Sequence, residues 1–161
     1  MNEEIVKIDP VNKTVKTRSN DYLIISLGAE LAPEKISGLA QSGYNHYELQ
    51  EVERLRDDLK NFTGGKVVIA ISSLPFKCPA APYEATFLLD EYFHKKDVRD
   101  KTEISIFTPE MLPMPATGSE NGKIIKAMVE ERNIKFNPEV QLVSVDSDKK
   151  RTHIFRSRRR K

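Results

Sequence analysis

Hydrophobic and polar residues alternate at the start of the chain and then give way to nearly continuous apolar runs. The alternation covers Ile5 to Ile8 and resumes over Val11 to Thr17, with Asp9-Pro10 between them, which predicts a β-hairpin. The next run, YLIISLGA, is apolar almost throughout and reaches Gly28, which predicts a buried strand. Residues 30 to 44 contain a proline and two glycines, so we expect a connection there.

Two apolar stripes with helical spacing follow. A helix should begin near Asn45, because Asn45 and Glu48 have the spacing of a capping box, and it should end at the glycines of TGG. A second helix follows the loop SSLPFKCPAAP and extends to about His94. We expect both stripes to face the core: Leu49, Val52, Leu55 and Leu59 in the first helix, and Ala81, Ala85, Leu88 and Tyr92 in the second.

Predicted strands alternate with these helices. KVVIAI and EISIF are strands, and EVQLVSV and THIF form a final pair joined by the turn DSDKK. Between them, after the Pro-rich loop TPEMLPMPATG, Ser119 is expected to cap a helix that carries Ile125, Met128 and Val129 and ends at Arg132. This order predicts right-handed crossovers and a parallel sheet. The fold class is therefore α/β, a Rossmann-like, NAD-binding-type three-layer domain with a parallel sheet, preceded by a β-hairpin and strand.

Charge separates the end of the chain from the rest. The 161 residues are 39% hydrophobic and 31% charged, a composition typical of globular proteins rather than disordered ones. The net charge is +2, yet residues 149–161 hold eight Lys or Arg and no acid. We therefore divide the chain into residues 1–44, an α/β domain at 45–148 and a basic tail at 149–161. Because a membrane-length apolar run and a signal peptide are both lacking, we expect a cytoplasmic location.

The turn where a dinucleotide would bind lacks its glycines. A dinucleotide-binding unit carries G-x-G-x-x-G after its first strand, and the loop SSLPFKCPAAP has no glycine. The acid expected near the end of the second strand is replaced by Phe107 and Thr108, and Glu110 comes late. Binding of a nicotinamide cofactor is therefore not expected.

The same loop carries the only cysteine, Cys78, in PFKCPAAPYE. Cys78 precedes the helix whose stripe begins at Ala81, so free backbone N–H groups, the helix dipole and Lys77 would all favour a reactive thiolate. Pro79 suits an early helical position, and Glu84, about one turn further, is a candidate to transfer protons. The alternative is a small buried hydrophobic residue without a role, which is common for single cysteines.

These residues carry a resemblance to a known family. GGKVVIAISSLPFKCPAAPYEATFLLDEYF resembles the central region of sulfide:quinone oxidoreductases and of the flavin subunit of flavocytochrome c sulfide dehydrogenases, within the flavin-dependent pyridine nucleotide–disulfide oxidoreductase superfamily. DYLIISLGAE is similar to the segment that returns from the flavin domain of these enzymes, and GYNHYELQEVERLRDDLKNFTGG to the helix between their two nucleotide-type domains. The resemblance covers about residues 3–145.

The resemblance implies a chemistry and a set of site residues. Cys78 would receive sulfide sulfur as a persulfide, or take part in a disulfide, and pass two electrons to FAD and then to quinone or a cytochrome. Gly28 and Ala29 would lie near the flavin, in a segment (residues 1–44) that corresponds to part of the flavin domain. The implied catalytic residues are Cys78 and Glu84, and the implied cofactor-binding residues are Gly28, Ala29, Pro79 and Tyr83.

The chain departs from the family in what it lacks. No G-x-G-x-x-G occurs anywhere, and Cys78 has no second cysteine with which to form a disulfide. We therefore expect the middle part of such an enzyme, inactive by itself and without bound FAD. Apolar surface left exposed where the rest of the flavin domain is missing would favour a homodimer.

Two other classes of function stay open. One is a non-catalytic α/β module that binds a nucleotide or a partner. The other is a nucleic-acid-binding domain in which residues 149–161 contact phosphates, although specific recognition is not expected without aromatic stacking residues. The same basic tail would suit peripheral contact with the inner face of a membrane. A metal site is not expected, because the histidines are scattered: His46, His94 and His153.

Overall fold

The structure is a computed structural model that describes residues 7–14, 26 and 28–146, together with the backbone alone at 15, 18, 19 and 151–156. Contacts divide the chain into two compact units, residues 1–32 and residues 33–161.

The first unit contains the predicted hairpin. Its strands pair antiparallel in the order β1 (Ile8–Asp9), β2 (Thr14–Val15) and β3 (Arg18–Ser19). The turn occupies residues 10–13, because the Asp9 Oδ1 atom accepts the backbone N–H groups of Val11 (3.1 Å) and Asn12 (3.0 Å). The buried strand predicted for YLIISLGA lies largely outside the described residues.

The second unit alternates helices and strands. Its elements are α1 (Leu39–Ser42), α2 (Leu49–Asn61), β4 (Gly65–Ala70), α3 (Ala81–Lys95), β5 (Thr102–Phe107), α4 (Ser119–Glu131), β6 (Ile134–Asn137), β7 (Val140–Asp146) and β8 (Arg151–Arg156). Strands β4, β5 and β6 form a parallel sheet in that order, with α3 and α4 as the crossovers. The α/β class with a parallel sheet is confirmed.

The third strand of the sheet is not the predicted one. It is β6, the segment IKFN, whereas the predicted strand EVQLVSV is β7 and pairs antiparallel with β8. The four residues of β6 follow α4 almost directly, because Asn133 adopts a left-handed backbone (φ 55°) that ends the helix in a short turn. The β7–β8 pair is confirmed, so half of the basic tail is a strand of this hairpin.

The core lies between the sheet and α3 and α4. Buried residues of the sheet and helices pack together there: Ile69, Ile71, Tyr83, Phe93, Ile104, Ile106, Val129 and Ile134. The predicted stripes are wrong at Leu49 and Leu88, which are 75% and 71% exposed. They are right at Leu59 and Tyr92, which are partly buried and pack against this cluster. The buried face of α3 instead carries Pro82, Tyr83, Thr86, Asp90 and Phe93. Polar Thr86 can be buried because its hydroxyl donates to the Pro82 carbonyl oxygen (2.7 Å).

The predicted helix starts also need correction. Helix α2 begins at Leu49 with Glu48 at the N-cap, and the Asn45 side chain accepts the N–H of Tyr47 (3.1 Å) in a turn before the helix. Ser119 is the first residue of α4 rather than its cap, a position that Gly118 takes. Short polar side chains can bond in local turns as well as at caps, so sequence alone does not distinguish the two. The predicted end of α2 before TGG is confirmed.

Candidate functional site

Three loops meet at the carboxyl edge of the parallel sheet. Residues 71–80 follow β4, residues 108–118 follow β5, and residues 138–139 follow β6. Because the three strands are parallel, these loops lie at one edge, which is where open α/β sheets bind their ligands. The loop after β4 carries Cys78, and the loop after β5 carries Glu110.

Cys78 is exposed in this loop and adopts a left-handed backbone, with φ 45°. Its carbonyl oxygen accepts the N–H of Ala81 (3.0 Å), so the residue lies directly before α3. The exposure contradicts the alternative of a buried filler. The reactivity of the thiol stays a prediction.

The first turn of α3 differs from the expectation. Pro79 lies before the helix, and Pro82 takes the early helical position instead. The N–H of Ala81 is bonded to the Cys78 carbonyl and that of Tyr83 to the Ala80 carbonyl (3.0 Å), while Pro82 has none. Fewer free N–H groups therefore remain near Cys78 than the sequence pattern suggested, so the helix dipole is the main favourable field left for a thiolate.

Tyr83 and Glu84 are neighbours with opposite environments. Glu84 is exposed in the first turn of α3. Tyr83 is only 2% exposed, and its hydroxyl donates to Oε2 of Glu110 (2.6 Å). Burial, followed by this hydrogen bond, raises the pKa of Tyr83 well above its usual value, so the phenol remains protonated.

Glu110 is the buried acid of this edge, with 4% of its surface exposed. Besides the Tyr83 hydroxyl it accepts Oγ1 of Thr108 (3.2 Å), and its own N–H donates to the same Oγ1 (3.1 Å). This carboxylate therefore links the end of β5 to the start of α3. In the sequence, Glu110 stands out only as an acid that comes late after the second strand. Its hydrogen bond with Tyr83 could not be predicted, because the two residues lie 27 positions apart.

Tyr47 is a site residue that the sequence did not indicate. Its hydroxyl donates to the carbonyl oxygen of Lys77 (2.6 Å), next to Cys78. Burial raises the pKa of Tyr47, and the charge of Cys78 raises it further. The ring of His46 lies 4.3 Å from that of Tyr47, and burial lowers the pKa of His46. The sequence pattern gives no sign of the contact between Tyr47 and Lys77, because the two residues lie 30 positions apart.

Gly28 and Ala29, the other predicted cofactor residues, belong to the first unit and are exposed. Gly28 has φ 73°, a conformation that favours glycine. Among the described residues no atom lies within 4 Å of the place where its Cβ would stand. The backbone, rather than a lack of space, therefore accounts for the glycine.

The residues that the structure describes contain neither a metal-binding cluster nor a membrane-spanning helix. No group of three or more His, Cys, Asp or Glu residues in them could hold a metal ion. None of the helices described is both long enough and apolar enough to cross a membrane.

The parallel sheet and its crossover helices define the class of fold, a Rossmann-like α/β fold that solved oxidoreductase structures share. The model of one family, described as "Sulfide dehydrogenase [flavocytochrome c] flavoprotein chain, central", matches residues 52–159. The chain belongs to this family, and the resemblance read from the Cys78 loop is confirmed.

Individual relatives agree with this assignment. The chain is 27% identical over 157 residues to the mitochondrial sulfide:quinone oxidoreductase of Mus musculus, covering 91% of this chain and 34% of the relative. It is 27% identical over 146 residues to that of Dictyostelium discoideum, covering 87% and 32%. Among solved structures, the sulfide:quinone oxidoreductase of Aquifex aeolicus matches with a TM-score of 0.71 at 21% identity, covering 96% of this chain and 40% of that one. The chain thus spans about a third of the length of its curated relatives.

Proposed function

We propose that this chain is the central domain of a flavin-dependent oxidoreductase that oxidises sulfide at Cys78. The observation that carries the proposal is the exposed Cys78 at the carboxyl edge of the sheet, inside the residues matched by the family model. The names of the curated relatives, sulfide:quinone oxidoreductases, support sulfide as the substrate and quinone as the acceptor, with a cytochrome as the other candidate acceptor.

In the proposed reaction, an S–S bond forms between the Cys78 thiolate and hydrosulfide, HS⁻. The product is the Cys78 persulfide, and two electrons are released. If bound, FAD would supply the two-electron acceptor for this step and the route to the final acceptor. Glu84 is proposed to take the proton that the Cys78 thiol loses beforehand. A disulfide at Cys78 would need its second sulfur from outside this chain, which holds one cysteine.

Cofactor contacts are proposed within each unit taken by itself. Gly28 and Ala29 present exposed backbone with little side chain, which fits the close approach of a flat ring. Pro79 is exposed and can contact the cofactor directly. Tyr83 is buried and would act by fixing the start of α3. Since the glycine fingerprint for a pyrophosphate is missing, we expect this chain alone to be purified without flavin absorbance.

We also propose how the segments correspond to the whole enzyme. Residues 1–44 would be part of the flavin domain, residues 45–148 the Rossmann-like domain, and residues 149–161 a basic segment that meets an anionic membrane surface from the cytoplasmic side. Such peripheral contact would bring the site close to a membrane-dissolved quinone. Exposed Leu49, Val52 and Leu88 are candidate contacts for further domains or for a second copy in a homodimer.

Alkylation of Cys78 tests the proposal. For an ordinary cysteine the rate falls about fifty-fold between about pH 8.5 and about pH 6.5, as the thiolate is lost. We expect the fall to be smaller than about tenfold, measured with iodoacetamide by intact mass, because α3 and Lys77 favour the thiolate. Cys78→Ser is the control, which should remain unmodified. A fifty-fold fall in the alkylation rate, as for an ordinary cysteine, would contradict a primed thiol, that is, a Cys78 thiol held ready as the thiolate.

A further inference from the structure

We propose that Tyr47 is a positioning residue for Cys78, which it orients through the peptide group that joins Lys77 to Cys78. The inference rests on the proposed function, because it assigns Tyr47 to the same reactive thiol. Tyr47 lies before α2, outside the loop, and its hydroxyl donates to the Lys77 carbonyl oxygen at 2.6 Å.

Hydrogen bonds hold the two peptide groups that flank Cys78. The Lys77 carbonyl belongs to the preceding peptide group, whose plane sets φ of Cys78, and Tyr47 holds that carbonyl. The Cys78 carbonyl belongs to the following peptide group, whose plane sets ψ, and the N–H of Ala81 holds that one at 3.0 Å. Because a peptide group is planar, fixing both carbonyls fixes the backbone of Cys78 and thereby the direction of its Cα–Cβ bond.

The backbone held in this way is one that cysteine seldom adopts. Cys78 has φ 45°, in the left-handed region where side chains other than glycine, asparagine and aspartate are uncommon. Such conformations persist where surrounding contacts impose them. Without the Tyr47 hydroxyl, the first peptide group can rotate, and the Cα–Cβ bond of Cys78 changes direction with the backbone.

Tyr47 is suited to be a permanent donor. Its ring is partly buried and lies 4.3 Å from the ring of His46. Burial and the nearby Cys78 charge both raise the pKa of the phenol, so it keeps its proton throughout the neutral range.

The test compares Tyr47→Phe with Tyr44→Phe in the full chain. Both variants lose one bonded phenol hydroxyl from the same segment, but that of Tyr44 donates to Asp58, away from the loop. The readout is the alkylation ratio of Cys78 with iodoacetamide between about pH 8.5 and about pH 6.5, which a change in folding stability alone would not move. Thermal unfolding confirms that each variant folds. If Tyr47→Phe does not fold, Tyr47→Met replaces it as an apolar side chain of adaptable shape.

We expect Tyr47→Phe to widen the alkylation ratio at least about threefold, towards that of an ordinary cysteine, and Tyr44→Phe to leave it unchanged. A wild-type ratio that Tyr47→Phe leaves unchanged, or that both variants widen equally, would overturn the role of Tyr47 while the proposed function stands. A ratio of about fifty in the wild type would overturn the primed thiol itself and the inference that depends on it.

Discussion

Individual buried side chains hold the second unit together through contacts that cross elements. Asp90 in α3 and Arg99 pair with side chains that are only 7% and 11% exposed. Arg99 also donates to the carbonyl oxygens of Thr102 (2.9 Å) and Arg132 (2.6 Å). One guanidinium therefore connects α3, the start of β5 and the end of α4, and this network explains why an aspartate can lie on the buried face of a helix.

We expect Asp90→Ala to lower the free energy of unfolding by about 3 kcal/mol, because it leaves a nearly buried Arg99 charge without its anion. Urea denaturation measures the change. The control is Glu91→Ala, one residue along α3, where an exposed pair with Lys95 is removed at a cost of about 0.5 kcal/mol or less. Equal decreases in the free energy of unfolding for the two substitutions would show that the buried pair stabilises the fold no more than the exposed pair does.

At the scale of elements, the helices differ in how they meet the core. Helix α2 has an apolar stripe, but none of its side chains is fully buried. Leu59 is partly buried, and its carbonyl oxygen accepts the Tyr92 hydroxyl (3.2 Å) and the Lys96 ammonium (2.6 Å). These contacts attach the end of α2 to the end of α3, while the start of α2 leaves Leu49 exposed.

The orientation of α3 predicts that replacing Phe93 lowers the free energy of unfolding more than replacing Leu88 does. The sequence pattern, which placed Leu88 in the core, predicts a large loss for Leu88. Phe93→Ala should cost about 3–5 kcal/mol of unfolding free energy, because Phe93 is fully buried beside Phe62. Leu88→Ala should cost less than about 1 kcal/mol, since Leu88 is 71% exposed and both residues favour a helix. Chemical denaturation of the two variants measures both changes in the free energy of unfolding. A larger decrease for Leu88→Ala than for Phe93→Ala would mean that the other face of α3 is buried.

At the scale of the whole molecule, the second unit contains the parallel sheet and its buried cluster within residues 33–161. A unit with its own core can fold independently. It includes Cys78, Pro79, Tyr83, Glu84 and Tyr47, whereas Gly28 and Ala29 belong to the first unit. The proposed thiol chemistry therefore belongs to the second unit together with Pro79 and Tyr83, whereas the proposed flavin contacts of Gly28 and Ala29 belong to the first.

We expect a chain of residues 33–161 to unfold cooperatively, with a Tm within about 4 °C of the full chain, which for this size corresponds to about 1 kcal/mol. Circular dichroism during heating provides the measurement, and the full chain is the reference. The Cys78 alkylation ratio should also be retained. Loss of the cooperative transition would mean that residues 1–32 are needed for the core to form.

The sequence by itself determined the order of elements and the place of the cysteine. Strands β4 and β5 and helices α3 and α4 follow from local periodicity, and two strand–helix–strand units imply a parallel sheet. Strand β6 escaped prediction because four residues after a tight turn give too short a pattern. The motif around Cys78 could also be recognised from the sequence, since its residues are contiguous.

Only the tertiary structure decided which faces are buried and which distant residues meet. Tyr83 reaches Glu110 across 27 residues, and Tyr47 reaches Lys77 across 30. Leu88 is exposed and Asp90 is buried, because the partners of α3, the sheet and Arg99, come from elsewhere in the chain. Hydrophobic periodicity is a local property, but burial and hydrogen bonding depend on contacts that form only when the elements pack.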